Sequence, residues 1–134
     1  MKNICILGAT GSIGINTLDV ISRHPDTYNV FAISANTSWE KMEQLCIKHM
    51  PKFAVLANEE ASENLRKIVP DGVVVLQGEG ALNEIASHKN TDFVMAAIVG
   101  SAGLSSTFAA VASGKRVMLA NKESLVLGGN LLIN

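Results

Sequence analysis

Short apolar runs rich in Ile, Val and Phe alternate along the chain with segments in which apolar residues recur at helical spacing. Continuous apolar runs suit strands buried on both faces, and the amphipathic segments between them suit helices that cross from one strand to the next. The pattern predicts strands over 3–7, 28–34, 53–57, 73–76, 92–99 and 116–120, and helices over 12–23, 38–49, 59–69, 79–88 and 104–113. A sixth helix is predicted to start near Glu123 and continue through the apolar stretch 124–134. Stops stand where they are needed, at His24-Pro25, Met50-Pro51, Pro70-Asp71-Gly72 and Gly114. The fold class implied is α/β, a doubly wound, mostly parallel sheet with helices on both faces, Rossmann-like.

Ligands of such sheets bind beyond the carboxyl ends of the strands, so the residues just after each strand carry the functional signal. After the first strand the chain reads Gly8-Ala9-Thr10-Gly11-Ser12-Ile13-Gly14 and enters a helix. A glycine turn between strand and helix lets backbone N–H groups and the positive end of the helix dipole face a pyrophosphate, and glycines keep Cβ atoms out of its way. The spacing is GxxGxxG, not the commoner GxGxxG, and the same glycines also serve a tight turn that holds no ligand. With a strand before and a helix after, the stretch implies dinucleotide binding.

Two further strand ends bear on the same crevice. Val99-Gly100-Ser101-Ala102-Gly103 follows the fifth strand, where small residues allow a flat ring close to the backbone. Asn121-Lys122-Glu123-Ser124 follows the sixth and is a candidate for cofactor and substrate contact, although Asn121 also fits as a helix N-cap with Glu123 in the first turn. At the end of the second strand, NAD-binding folds place an acid that holds the ribose 2′-hydroxyl. Here the chain reads Ser34-Ala35-Asn36-Thr37-Ser38. Without an acid, a 2′-phosphate meets no repulsion and finds donors in Asn36, Thr37 and Ser38, so NADPH is the expected cofactor. The nearest cation is Lys41, and Ser38 also fits as the N-cap before Trp39.

Composition narrows the partners. The 134 residues are 48% hydrophobic and 17% charged, with a formal net charge of −1 and no long basic run, which argues against nucleic acid and against an anionic membrane surface. The length suits one domain. Cys5 in a strand and Cys46 in a helix read as small core residues in a reducing compartment. No stretch has the length of a membrane span and the first strand starts almost at Met1, so a cytoplasmic protein, or a mature domain, is expected. His24, His49 and His88 fall in the last turns of predicted helices, where they suit the dipole and the free carbonyls. Glu59, Glu60 and Glu63 read as a solvated first turn, and Trp39 as an aromatic packed at a helix start.

Three stretches, Gly8 to Gly14, Met95-Ala96-Ala97-Ile98-Val99-Gly100 with Ala102-Gly103-Leu104, and Leu119-Ala120-Asn121-Lys122-Glu123-Ser124-Leu125-Val126, together resemble the 1-deoxy-D-xylulose 5-phosphate reductoisomerase family. The resemblance covers residues 1–134 as the amino-terminal NADPH-binding domain. It implies NADPH-dependent isomerisation and reduction of 1-deoxy-D-xylulose 5-phosphate to 2-C-methyl-D-erythritol 4-phosphate, an early step of non-mevalonate isoprenoid synthesis. Carried over by position, Thr10, Gly11, Ser12 and Ile13 contact the pyrophosphate and adjoining ribose, and Asn36, Thr37 and Ser38 surround the 2′-phosphate. At Ser38 many members carry Asn. Asn121 and Glu123 contact the cofactor near its nicotinamide, and Lys122 reaches the substrate.

The resemblance also implies a divalent metal, Mg or Mn, held by acidic residues beyond residue 134, together with a homodimer in the full-length enzyme. On this reading the chain contains no catalytic or metal-binding residue and is inactive alone. One rival is a short-chain NADP reductase, which needs a Tyr with a Lys four residues on, whereas Tyr28 is followed there by Ala32. Another is a non-catalytic NADP-sensing domain, which has no use for Lys122 at a strand end.

Overall fold

A computed structural model describes residues 1–97, 102–119 and 132–133. The elements are β1 (Lys2–Leu7), α1 (Ser12–Ser22), β2 (Tyr28–Ala35), α2 (Trp39–His49), β3 (Phe53–Leu56), α3 (Glu59–Ile68), β4 (Val74–Gln77), α4 (Glu79–Ser87), β5 (Phe93–Ala96), α5 (Ala102–Ala112), β6 (Arg116–Leu119) and β7 (Leu132–Ile133). They form one sheet in the order β4-β3-β2-β1-β5-β6-β7. The first six strands are parallel, and β7 runs antiparallel to β6, with Ile133 opposite Val117 and Leu132 opposite Met118. The helical reading of 124–134 therefore fails at Leu132 and Ile133, where a short apolar pair completes the sheet edge instead. The start of that helix, near Glu123, lies outside the described residues.

Side chains alternate across the sheet as a pleat requires. Ile4 and Ile6 of β1 point to one layer with Leu18 and Ile21 of α1, Met42 and Cys46 of α2, and Ala61 and Leu65 of α3. Cys5 and Leu7 point to the other, with Leu82, Ile85 and Ala86 of α4 and Ala110 of α5. Both faces are covered, so β1 is apolar without alternation. One irregularity interrupts the pleat. Ile4 lies opposite Val30 but Cys5 opposite Ala32, so Phe31 is an extra residue in β2, and Phe31 and Ala32 both face α4 and α5. This bulge advances β2 by one position against β1.

The helix stops fall where the punctuation sets them. Gly72 and Gly114 take φ values of 98° and 78°, a region that glycine enters without a Cβ penalty. α2 ends on Met50, left-handed at φ 47°, whose N–H donates to the Cys46 carbonyl before Pro51.

From β1 to β4 the chain steps outward with α1, α2 and α3 on one face. α4 then carries it back across the other face to β5, on the far side of β1. The crossovers part between β1 and β5, and the crevice at their carboxyl ends is the place where such sheets bind ligands.

Candidate functional site

β1 leaves the sheet through Gly8, whose φ of 82° is readily available only to glycine. The turn is tied to the neighbouring strand: the Gly8 N–H donates to Ser34 Oγ at 3.0 Å and the Ala9 N–H to the Ser34 carbonyl at 2.7 Å. Gly11 is the N-cap of α1, with extended backbone and no side chain capping the helix. The Ile15 N–H donates to the Gly11 carbonyl at 2.9 Å, and the N–H groups of Ser12, Ile13 and Gly14 precede the helix's own ladder. Gly14 lies so close to the turn that a Cβ there would stand 2.3 Å from the Gly8 oxygen and 2.7 Å from Ala9 Cα. Helix and turn therefore form one seat, with Gly11 and Ser12 exposed and Thr10 and Ile13 half-buried.

The charges around it are arranged with the same bias. α2 carries Glu40 in its first turn, α3 carries Glu59 and Glu60, and α4 carries Glu79. α1 and α5 carry no acid there. These two are the helices that follow β1 and β5, so the positive helix ends without a first-turn carboxylate are those beside the crevice. An anion placed there meets free donors and, among the described residues, no acid in the first turn of either helix.

One strand over, Asn36 and Thr37 are exposed and Ser38 is the half-buried N-cap of α2, its hydroxyl making no cap bond. The Asn36 carbonyl accepts from the Asn58 N–H at 3.2 Å, which ties this loop to the start of α3. Lys41 is exposed beside Glu40, and Trp39 packs on the core with its ring partly covered, as its place at the helix start suggests. Thr10 to Ile13 and Asn36 to Ser38 thus lie at the same carboxyl edge, joined through Ser34. Asn121, Lys122, Glu123 and the 99–101 part of the Val99 to Gly103 segment lie outside the described residues.

Tyr28, His88 and the two cysteines are engaged in packing. Tyr28 opens β2 at the edge opposite the glycine turn, with the ring of exposed His24 edge-on at 6.4 Å. His88 lies against Phe31 and Phe53, at 5.1 and 5.5 Å, and its Nδ1 accepts from the Asn90 N–H. It is thus held by aromatic packing at the base of the sheet more than by the helix end predicted for it. His49 ends α2, and burial followed by the Lys48 charge lowers its pKa. Cys5 and Cys46 are free and buried on opposite faces of the sheet. Burial pushes the Cys5 thiol far up; burial, then Glu43, raises Cys46 to about 11.

Two residues of the site escape motif reading. Ser34 is hidden inside an apolar run, and its only signal is a hydroxyl where a strand buried on both faces has little use for one. Asn58 caps α3 by accepting from the Ala61 N–H at 2.9 Å, and an Asn directly before Glu59-Glu60 is the signal that announces it.

The model of the 1-deoxy-D-xylulose 5-phosphate reductoisomerase family matches residues 4–129. The chain belongs to that family. A reductoisomerase from Ruthia magnifica subsp. Calyptogena magnifica is 51% identical over 133 residues, covering 99% of this chain and 35% of its own length. One from Stutzerimonas stutzeri is 53% identical over 133 residues, covering 97% of this chain and 34% of its own. The chain spans about a third of the length of the curated relatives it matches. Among solved structures, the reductoisomerase from Zymomonas mobilis in complex with NADPH superposes with a TM-score of 0.84 at 42% identity, over 97% of this chain and 34% of that one. A reductoisomerase in complex with NADPH, fosmidomycin and magnesium gives a TM-score of 0.85 at 42% identity, over 98% of this chain and 33% of that one. The reductoisomerase fold at this level of identity is the doubly wound sheet described above.

Proposed function

We propose that residues 1–134 are the NADPH-binding domain of an enzyme that isomerises 1-deoxy-D-xylulose 5-phosphate and reduces the product to 2-C-methyl-D-erythritol 4-phosphate. The observation that carries the reading is the seat at Gly8 to Gly14, where a Cβ at Gly14 would collide with the turn and no acid stands in the first turn of α1. A dinucleotide fits it. The pyrophosphate takes the N–H groups of Gly11, Ser12 and Ile13, with the Thr10 and Ser12 hydroxyls beside them. Asn36, Thr37 and Ser38 donate to the 2′-phosphate, on a loop with no acid before Glu40.

Bound NADPH supplies the hydride that reduces a carbonyl carbon. Asn121 and Glu123 hold the cofactor near its nicotinamide end, and Lys122 stabilises negative charge on a substrate oxygen. Replacing Lys122 with Ala in a longer family member that carries these residues is expected to lower turnover far more than cofactor affinity; unchanged turnover refutes the role.

The described residues do not fit a divalent metal, since no three His, Cys, Asp or Glu side chains come together among them. In this reading Mg or Mn is held by the part of the enzyme beyond residue 134, which also supplies the phosphosugar site and the homodimer contacts. No helix among the described residues is long and apolar enough to cross a membrane, in keeping with a cytoplasmic enzyme.

Calorimetric titration of this chain with NADPH and with NADH tests the reading. NADPH is expected to bind more tightly by ~1 kcal/mol or more, the scale of one or two charge-assisted hydrogen bonds. Equal affinities refute the 2′-phosphate site at Asn36 to Ser38, and failure to bind either refutes the dinucleotide seat.

A further inference from the structure

We propose that Ser34 is the positioning residue of the pyrophosphate seat: its buried hydroxyl anchors the Gly8 amide at the start of the turn and thereby sets the direction in which Gly11 to Ile13 present their N–H groups. The inference rests on the dinucleotide reading above and deepens it. Ser34 is 0% exposed and stands between the buried Ile33 and Ala35. A hydroxyl in such surroundings is costly unless it is bonded, and this one accepts from the Gly8 N–H at 3.0 Å.

The regular pairing of β1 with β2 reaches Ile6 opposite Ile33. Beyond it, Ser34 takes over with side chain and main chain together, since its carbonyl accepts from the Ala9 N–H at 2.7 Å. The bulge at Phe31 decides which β2 residue arrives there, because it advances β2 by one position against β1. The Gly8 N–H lies beyond the last regular pair of β1 with β2, where the acceptor it meets is the Ser34 hydroxyl, and at φ 82° the chain turns away directly after it. Without the hydroxyl that donor has no partner, and the turn is free to relax away from the geometry that seats the pyrophosphate.

The test uses this chain with Ser34→Ala and Ser34→Thr, and two probes that engage different parts of the site. ADP carries the pyrophosphate, and adenosine 2′-phosphate carries the group assigned to Asn36 to Ser38. Ser34→Ala is expected to weaken ADP about tenfold, to leave adenosine 2′-phosphate within about twofold, and to speed hydrogen exchange at the Gly8 amide; Ser34→Thr restores the ADP affinity. ADP binding as tight as the parent's overturns the proposal, as does an equal loss of both probes with exchange at Gly8 unchanged. If the parent chain binds neither probe, the nucleotide reading is what fails. Gly8 exchange then decides the role of Ser34: faster exchange in Ser34→Ala supports its hold on the turn, and unchanged exchange overturns it.

Discussion

Gly14→Ala is the substitution whose cost can be worked most directly from the geometry. The added Cβ would stand 2.3 Å from the Gly8 oxygen, 2.7 Å from Ala9 Cα and 2.8 Å from the Ala9 carbonyl carbon. All three are backbone atoms, so no side chain can swing aside. To restore an ordinary contact near 3.4 Å, α1 must move off the turn by about 1 Å. Overpacking of this kind costs roughly 1–3 kcal/mol, and a rigid backbone partner places it at the upper end. Alanine's better helix propensity returns less than about 1 kcal/mol, which leaves a net loss of roughly 2 kcal/mol. In urea unfolding followed by circular dichroism that loss lowers the midpoint by about 1–2 M. Gly80→Ala is the matched control: it lies in α4 with nothing within 4 Å of its Cβ position, so the same change should raise the midpoint slightly. NADPH affinity should fall in Gly14→Ala and stay unchanged in Gly80→Ala. A Gly14→Ala chain that unfolds at the parent's urea concentration refutes the claim that helix and turn are in direct contact.

Asn36→Asp should weaken NADPH by about tenfold or more, through repulsion of the 2′-phosphate, and leave NADH nearly unchanged; equal losses in calorimetry would move the 2′-phosphate elsewhere. Both thiols are buried and raised in pKa, so a thiol-specific disulfide reagent at pH 8 should label neither Cys5 nor Cys46 until denaturant is added, and fast labelling of the native chain would contradict the burial. His49 has its pKa lowered by burial and then by Lys48, so the unfolded chain takes the proton first as pH falls below about 6.5. The penalty is absent above that pH and grows below it until the folded-state pKa is passed. His49→Gln should therefore lose less stability than the parent between pH 7 and pH 5 in paired denaturant titrations, and parallel curves would exclude the effect.

The six parallel strands and five helices stand out in the sequence because burial on both faces turns strands such as Ile4 to Leu7 into unbroken apolar runs, and because Pro51, Gly72 and Gly114 mark where the chain must turn. The same continuity conceals the bulge at Phe31: in a run reading Val30-Phe31-Ala32-Ile33, every residue is apolar whichever layer it faces, so a one-residue slip leaves no trace. Leu132 and Ile133 mislead for a related reason, since two apolar residues fit a helix or an edge strand equally well until β6 is there to pair with them. At the site, the glycine spacing marked the seat, whereas Ser34 was invisible because its role depends on a neighbour 26 positions away. The bias of first-turn acids away from α1 and α5 was present in Glu40, Glu59, Glu60 and Glu79. It acquires meaning only once the topology shows which helices flank the crevice.

The central place of β1 has a temporal side. The strand is made before both of its partners, yet it is enclosed by β2 on one edge and by β5 on the other, with Ile4 paired to Phe93. At a synthesis rate of about 5–20 residues per second, the second partner emerges roughly 4–18 s after the first strand does. Throughout that interval the nascent chain presents one open edge of β1, a template for pairing with other chains. A strand paired on both edges in the fold is therefore only half-paired while the chain is being made, and that is when its open edge invites misassembly.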